Sequence, residues 1–224
     1  MNLLPPEALL KTGVVDHADW NFRPVLGSIQ RVRFKLVASF LPRQRCQRLL
    51  EIGYGSGVFM PELSRSCVEL YGIDVHQEHG RVQEVLSRYG YQSQLFSGDA
   101  ARMPFAPAFF DCVVAVSAVE FIEDLDAACR EVRRVLRPGG SFIVVTPGKS
   151  AVVDFGLKVL TGESARRDYG DRRSRVMDTL RKHFPTRQER TVPRVGSSLF
   201  RLYTGLKLDI PADVGNGDRE ELCR

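Results

Sequence analysis

The stretch that decides the fold is Leu49-Leu50-Glu51-Ile52-Gly53-Tyr54-Gly55-Ser56-Gly57. An apolar strand over 47–52 runs directly into three alternating glycines, and the residues from Val58 to Ser66 predict a helix. Glycines at such a turn let the backbone bend sharply and approach a ligand closely. The stretch therefore predicts a strand, a glycine turn and a helix, as in nucleotide-binding α/β folds.

The same alternation of strands and helices continues downstream. The further predicted strands cover 68–73, 91–96, 110–116 and 141–146, with helices over 76–89 and 124–136. Such alternation is typical of a Rossmann-like, doubly wound, mostly parallel sheet with helices on both faces. Two later stretches, 187–195 and 198–208, predict an antiparallel strand pair across Gly196-Ser197 that completes a seven-stranded sheet.

Around this core the chain divides into five predicted segments. They are an N-terminal helical cap over 1–47, a core over 48–147, a helical insertion or lid over 148–185, a strand pair over 186–210 and a flexible tail over 211–224. The cap contains an amphipathic helix over 28–41, and the insertion contains helical patterns over 151–160 and 165–184.

Cysteine content and hydropathy indicate an intracellular globular protein. The five cysteines show no C-x-x-C spacing and fall mostly in apolar stretches, so they predict reduced structural thiols rather than disulfides or a zinc site. The first ten residues lack a basic leader, and no apolar run approaches the roughly 20 residues of a membrane span. We expect a cytoplasmic protein without a membrane span.

The net charge of +5 is concentrated in one segment. Residues 163–190 contain nine Lys or Arg against five Asp or Glu, whereas the rest of the chain is close to neutral. A basic segment of this kind is compatible with nucleic acid, an anionic substrate or an ordinary solvated helix face.

Polar residues cluster where the predicted strands end. The glycine turn follows the first strand, Asp74 the second, Asp99 the third and the 117–120 segment the fourth. Ligands of doubly wound sheets bind beyond these carboxyl ends, and a carboxylate after the second strand accepts hydrogen bonds from ribose hydroxyls. The sequence therefore predicts one crevice that binds a nucleoside-containing cofactor.

The glycine spacing narrows the choice of cofactor. The G-x-G-x-G order argues against a dinucleotide, whose fingerprint places its third glycine one residue later, and no phosphate-binding G-x-x-x-x-G-K-[ST] motif is present.

Five motifs in order resemble the class I S-adenosylmethionine-dependent methyltransferases, in particular the ubiquinone/menaquinone biosynthesis (type 11) branch that acts on small molecules. They are the opening stretch, Tyr71-Gly72-Ile73-Asp74, Gly98-Asp99-Ala100-Ala101-Arg102-Met103-Pro104-Phe105, Phe110-Asp111-Cys112-Val113-Val114 and Arg134-Val135-Leu136-Arg137-Pro138-Gly139-Gly140. The resemblance covers 48–147 and implies S-adenosylmethionine as the cofactor, with no metal site.

The resemblance also implies roles for particular residues. Glu51, Gly53, Tyr54 and Gly55 would line the methionine end of S-adenosylmethionine. Asp74 would bind the ribose hydroxyls with Val75 beside it, Asp99 and Ala100 would contact adenine, and Ser117 would lie near the sulfonium. Gly57 has an alternative interpretation as a helix-packing residue.

Methyl transfer from a sulfonium is an in-line displacement that depends mainly on positioning, so a catalytic base is optional. Many relatives carry a histidine pair after the fourth strand, where this chain has Glu120 and Phe121. Glu120 is the candidate base if burial raises its pKa, although a carboxylate at such a junction is more often a cap or solvated. We interpret His76 as a helix cap and His79 as a surface residue rather than as metal ligands.

Three functions remain open. The leading hypothesis is methylation of a small-molecule or lipid-like acceptor beneath the predicted lid. The second is methylation of RNA or an anionic metabolite by way of the basic segment, although Ala115 to Phe121 reads AVSAVEF and lacks the N/D-P-P-aromatic motif of adenine-amino methyltransferases. The third is a catalytically silent cofactor-binding or scaffold protein. The oligomeric state is not predicted.

Overall fold

A computed structural model describes residues 1–13, 16–148, 172–193 and 201–211, apart from the side chains of 172–174. Seven strands form one sheet in the order β3-β2-β1-β4-β5-β7-β6. Their bounds are Cys46–Ile52 (β1), Cys67–Asp74 (β2), Gln94–Ser97 (β3), Phe110–Val116 (β4), Leu136–Pro147 (β5), Thr186–Val192 (β6) and Tyr203–Asp209 (β7). Strands β1 to β5 are parallel, and β7 runs antiparallel to both of its neighbours. The predicted fold class is confirmed.

Helices cover both faces of this sheet. The described α-helices are Leu26–Ala38 (α1), Met60–Leu63 (α2), His79–Arg88 (α3), Leu125–Val135 (α4) and Arg172–His183 (α5). Apolar residues of α1, α2 and α3 share one core cluster, and those of α4 and α5 share the other. The sheet separates the two clusters, as the doubly wound arrangement requires.

Strand β4 shows why the sequence pattern was informative. All seven of its residues are buried. Cys112, Val114 and Val116 belong to the first cluster, whereas Val113 and Ala115 belong to the second. A nearly continuous apolar run is what a strand needs when both of its faces are covered.

Several predicted boundaries require correction. The helix predicted from Val58 is α-helical only over Met60–Leu63 and continues as a 3-10 turn over Ser64–Ser66. The helix predicted from His76 begins at His79. The residues 137–140, which follow the helix predicted over 124–136 and precede the strand predicted over 141–146, lie within β5, where the register with β4 shifts between Phe110 and Cys112. Helix ends depend on tertiary contacts that a periodicity does not encode.

The N-terminal region packs on the core through 3-10 turns over Pro6–Ala8 and Ala18–Phe22 and through α1. Leu36 and Phe40 approach β7 at Gly205, where an added Cβ would lie 2.7 Å from Phe40 Cε2. The helix predicted over 151–160, the start of the second insertion helix and the tail after 211 lie outside the described residues. The remainder of that second helix is α5.

Four of the five cysteines fall in the described part of the chain, and all four are free. Burial raises the pKa of Cys46 to about 11 and that of Cys67 to about 12, which keeps both thiols protonated and unreactive near neutral pH. Among the described residues, no helix combines the length and the apolar character needed to span a membrane.

Candidate functional site

A cavity of about 450 Å³ opens at the carboxyl ends of the central strands. It lies where the chain order reverses, since β1 is flanked by β2 on one side and β4 on the other. This switch point is where doubly wound sheets bind ligands. All nine predicted cofactor-binding residues line the cavity: Glu51, Gly53, Tyr54, Gly55, Asp74, Val75, Asp99, Ala100 and Ser117.

The glycine turn brings two loops together at the switch point. Gly53 has a φ of +74°, and an added Cβ would lie only 2.4 Å from the Cβ of Ala118, in the segment after β4. No other residue type fits there without displacing that segment. Gly57 does not line the cavity; its Cβ position lies 3.2 Å from Val82 and Leu86 of α3, so its helix-packing interpretation is the one that the geometry supports.

Asp74 ties β2 to the glycine turn. Its Oδ2 atom accepts a hydrogen bond from the Gly55 amide at 2.8 Å, and its Oδ1 atom accepts from the His76 amide at 3.3 Å. The side chain is only 15% exposed, yet it lines the cavity. A carboxylate oxygen has a second lone pair, so both atoms retain capacity for the hydroxyl groups of a ligand.

Glu51, which is buried, and Arg33, which is half-buried with a buried Nε atom, line the same cavity. Neither Glu51 Oε2 nor Arg33 Nε has a hydrogen-bond partner among the described residues. Burial, reinforced by the nearby charge of Asp74, raises the pKa of Glu51 to about 8, and the Arg33 guanidinium opposes that rise. A buried acceptor beside a buried donor suits a ligand that carries both an ammonium and a carboxylate group.

Side chains of α4 form hydrogen bonds with the backbone of the loop after β3. Asp99 is exposed at the cavity edge, and its Oδ1 atom accepts from the Ala101 amide at 2.8 Å. Arg134 donates to both carboxylate oxygens of Glu131, at 2.7 and 2.8 Å, and to the carbonyls of Met103 and Phe105. Glu131 in turn accepts from the Met103 amide. Arg134, from the last of the five motifs, therefore holds the loop formed by the Gly98–Phe105 motif, and we call this set of hydrogen bonds the Arg134 bracket.

Ser117 occupies a strained position at the end of β4. Its φ of +52° lies in the left-handed region, which costs a non-glycine residue about 1 kcal/mol or more. Its amide donates to the Val145 carbonyl at 2.7 Å, while its buried hydroxyl has no partner among the described residues. Strain and an unused hydroxyl at a cavity wall are features of a ligand-contacting residue.

Glu120, the candidate base, does not line the cavity. It is fully buried in a 3-10 turn over Val119–Phe121, and its Oε1 atom accepts a hydrogen bond from the Thr146 hydroxyl of β5. The carboxylate is neither a helix cap nor solvated, contrary to the usual interpretation of such a position.

The N-terminal region contributes cavity residues that sequence reasoning missed: Thr12, Gly13, Asp16, His17, Ala18, Trp20, Gln30, Arg33 and Phe34. The Asp16 carboxylate lies about 3.7 Å from the Cβ position of Gly55, and the rings of His17 and Trp20 stack at 4.1 Å. No local pattern reveals these residues, because their position depends on how the cap folds back over the sheet. Arg33 in particular resembles an ordinary charge on the polar face of α1.

Residues 50–144 match a family described as a methyltransferase domain. This part of the chain is therefore a methyltransferase domain, as the five sequence motifs predicted. The predicted methyltransferase family is confirmed over these residues, and S-adenosylmethionine is the cofactor of its class I members.

Two methyltransferases are similar to part of this chain. Sterol 4-C-methyltransferase of Caenorhabditis elegans is 31% identical over 42% of this chain and 29% of its own length. Demethylmenaquinone methyltransferase of Roseiflexus castenholzii is 32% identical over 43% of this chain and 41% of its own length. The matches thus span less than half of either relative.

Among solved structures, the N-methyltransferase NodS from Bradyrhizobium japonicum in complex with S-adenosylhomocysteine superposes with a TM-score of 0.61. The likeness covers 90% of this chain and 95% of NodS at 18% sequence identity, so it shows a shared fold.

The residues of the cavity fit S-adenosylmethionine. The amino group of the cofactor needs an acceptor and its carboxylate a donor, and Glu51 Oε2 and Arg33 Nε are such atoms without partners among the described residues. Asp74 suits the ribose, and Val75 is an apolar side chain that remains 73% exposed at the cavity wall, where a flat ring would cover it.

Proposed function

We propose that the chain transfers a methyl group from S-adenosylmethionine to a small-molecule or lipid-like acceptor. The observation that carries the proposal is the convergence of Glu51, Asp74 and the strained Ser117 on one cavity at the switch point. The cofactor supplies a methyl group on a positively charged sulfur. Glu51 and Arg33 orient the methionine end, Asp74 the ribose, and Asp99 and Ala100 the adenine.

The charge of the cavity favours an acceptor without phosphate groups. Its described lining contains one guanidinium, that of Arg33, and the carboxylates of Asp16, Asp74, Asp99 and Glu123, besides the Glu51 carboxyl with its raised pKa. Apolar residues such as Phe121 and Ile122 complete the wall after β4. A negatively lined site attracts a cationic cofactor and repels an anionic acceptor.

The described part of the basic segment, 163–190, also favours an acceptor without phosphate groups. Arg181 pairs with Glu189 at 2.8 Å, Lys182 with Asp126 at 3.0 Å, and Arg187 with Asp209 at 3.1 Å. These cations are therefore engaged within the protein, which favours a solvated helix face over a phosphate-binding surface.

Within this proposal, positioning provides the catalysis. Well-oriented reactants gain up to about 7–11 kcal/mol from alignment alone. Glu120 is separated from the cavity lining, so we assign it the stabilisation of the β4–β5 junction through Thr146 and no contact with the acceptor.

A transfer assay tests the proposal. The protein is incubated with methyl-labelled S-adenosylmethionine and, separately, with quinols, phenols, sterols and RNA. We expect label in an organic-extractable product and none in RNA, with the signal lost in an Asp74→Asn variant. Label in RNA, or no transfer to any acceptor by a protein that binds the cofactor, would contradict the proposed acceptor class.

A further inference from the structure

His76 lies beside the cofactor cavity but belongs to none of the motifs described above. Its side chain is only 8% exposed, and its ring packs edge-on against Tyr54 with 4.9 Å between ring centroids. Its Nε2 atom lies 3.0 Å from the Gly55 carbonyl oxygen, and its Nδ1 atom accepts from the Glu78 amide at 3.1 Å. The ring therefore bridges the glycine turn after β1 and the loop after β2.

Both polar groups of Gly55 are held by this loop. Its amide donates to Asp74 Oδ2, and its carbonyl faces His76 Nε2. The His76 amide also donates to Asp74 Oδ1, so the two side chains and the turn form one closed set of hydrogen bonds. Displacement of the ring would release the turn from one side and loosen the carboxylate on the other.

The partners of the ring fix its protonation state. The Glu78 amide is always a donor, so Nδ1 must be unprotonated, and the Gly55 carbonyl is always an acceptor, so Nε2 must carry the hydrogen. We propose that His76 is a positioning residue that keeps Gly55 and Asp74 in place for the cofactor, and that it does so only as the neutral, Nε2-protonated ring. The inference rests on the proposed cofactor function.

Several titratable side chains lie around the His76 ring or in the loops that it joins. Asp74 Oδ2 lies 3.9 Å from Nε2, and the Asp16 carboxylate lies about 3.7 Å from the Cβ position of Gly55, on the same glycine turn. Glu78 is in the same loop, where Arg81 pairs with it at 2.9 Å, and Tyr54 is a neutral neighbour. A second proton on Nδ1 would direct two N–H groups at each other and break the bond to Glu78.

Two substitutions separate the two hydrogen bonds of the ring. His76→Asn retains an oxygen near the Nδ1 position but is too short to reach Gly55. His76→Gln places an amide near the Nε2 position and does not titrate. S-adenosylhomocysteine is the probe, and calorimetry measures its affinity from roughly pH 8 to pH 5, the range in which histidines change charge.

We expect His76→Asn to bind about three- to tenfold more weakly than wild type at pH 8, the value of one lost hydrogen bond. His76→Gln should bind within about twofold of wild type, because it restores that bond. As the pH is lowered, the affinity of the wild type should fall more steeply than that of His76→Gln. Any pH dependence of the affinity that Glu51 causes is the same in both proteins and cancels in this comparison. Circular dichroism checks that each variant is folded.

Nitrogen-15 NMR of the unliganded wild type reads the tautomer without the cofactor, and we expect the proton on Nε2 at pH 8. A proton on Nδ1, or wild-type and His76→Gln affinities that fall in parallel with pH, would overturn the positioning role while the wild type still binds. Absence of binding by wild type at every pH would instead overturn the proposed cofactor function, and the positioning role with it.

Discussion

Glu51 combines burial with an Oε2 atom that has no hydrogen-bond partner among the described residues, and such an atom costs free energy unless a ligand supplies the partner. Its pKa rises from 4.5 to about 8, mainly because burial disfavours the charged form. A raised pKa in the folded state means that the stability due to the neutral carboxyl is fully present below about pH 4.5. That stability is lost as the pH rises through about 8.

Substitution of Glu51 by glutamine should therefore stabilise the unliganded protein and weaken its affinity for the cofactor. The gain in stability over wild type should grow between about pH 4.5 and pH 8 and then level off, reaching at least about 1.4 kcal/mol. Thermal unfolding across this range measures the gain, and calorimetry with S-adenosylhomocysteine measures the loss. Equal stability of the two proteins at pH 8 would contradict the assigned burial cost.

The sequence predicted those cavity residues that lie at or just after the end of a strand. Glu51 lies near the end of its strand, Asp74 ends the next and Asp99 comes soon after the third, and the carboxyl ends of parallel strands meet at one edge of the sheet. Arg33 and Asp16 reach the cavity from the N-terminal region instead, and their local sequence contains nothing specific to a site. Glu120 does not line the cavity, and its burial depends on β5, which lies far along the chain, so the local sequence did not reveal its surroundings.

Three glycines lie in turns between elements, where substitution by alanine should lower the stability of the protein. Gly57 has a φ of +73° and packs on α3, Gly90 has a φ of +84° with open space around it, and Gly53 touches the segment after β4. All three glycines have a positive φ, which would strain any other residue type, but they differ in what an added methyl group would contact.

We expect alanine at Gly90 to cost about 1–2 kcal/mol from strain alone. Alanine at Gly57 should cost more, because its Cβ would crowd Val82 and Leu86, but cofactor affinity should change little since Gly57 does not line the cavity. Alanine at Gly53 should reduce both stability and affinity. Chemical denaturation and calorimetry on the three variants compare them; equal affinities for Gly53→Ala and Gly57→Ala would contradict this assignment.

The hydrogen bonds of the Arg134 bracket, which join α4 to the loop after β3, give a further prediction. Arg134→Lys retains the charge but loses the forked contact with Glu131 and the two carbonyl bonds, at a cost of about 1–2 kcal/mol. S-adenosylhomocysteine should bind several-fold more weakly because Asp99 and Ala100 lie on that loop. Arg130→Lys, at an exposed position of the same helix, is the matched control and should leave both quantities unchanged.

Element types were predictable wherever burial imposed a strong pattern. The β4 run is buried on both faces, and its predicted bounds match the structure. The segments around Met60 and His79 were less predictable, since short helices there end and begin according to contacts with β2 and the glycine turn. The residues 137–140 resemble a turn, but they lie within β5 because Leu136 before them and Ser141 after them both pair with β4.

On the scale of the whole molecule, the N-terminal region and the sheet together enclose the cavity. The Leu4 amide donates to the Val58 carbonyl at 3.1 Å, and Lys207 Nζ of β7 donates to the Phe40 carbonyl at 3.1 Å. Segments distant in sequence thus hold the cap against the core, with Trp20 at the cavity wall.

Trp20 is the only tryptophan of the chain, so its fluorescence reports on the closure of this region. Addition of S-adenosylhomocysteine should change the intensity or the emission maximum with the same saturation curve as calorimetry. A Trp20→Phe variant should lose the signal. Full calorimetric binding without any change in fluorescence would show that the N-terminal region does not contact the cofactor site.

The most direct test of the account is calorimetric titration of wild type, Asp74→Asn and Asp209→Asn with S-adenosylhomocysteine. Asp74 lines the cavity, whereas Asp209 pairs with Arg187 at the far end of β7. We predict binding by wild type and Asp209→Asn, and at least about tenfold weaker binding by Asp74→Asn, because a hydrogen bond to a charged group contributes about 1.5–3 kcal/mol. Absence of binding by folded wild type, or equal affinities for all three proteins, would contradict the assignment of this cavity to the cofactor.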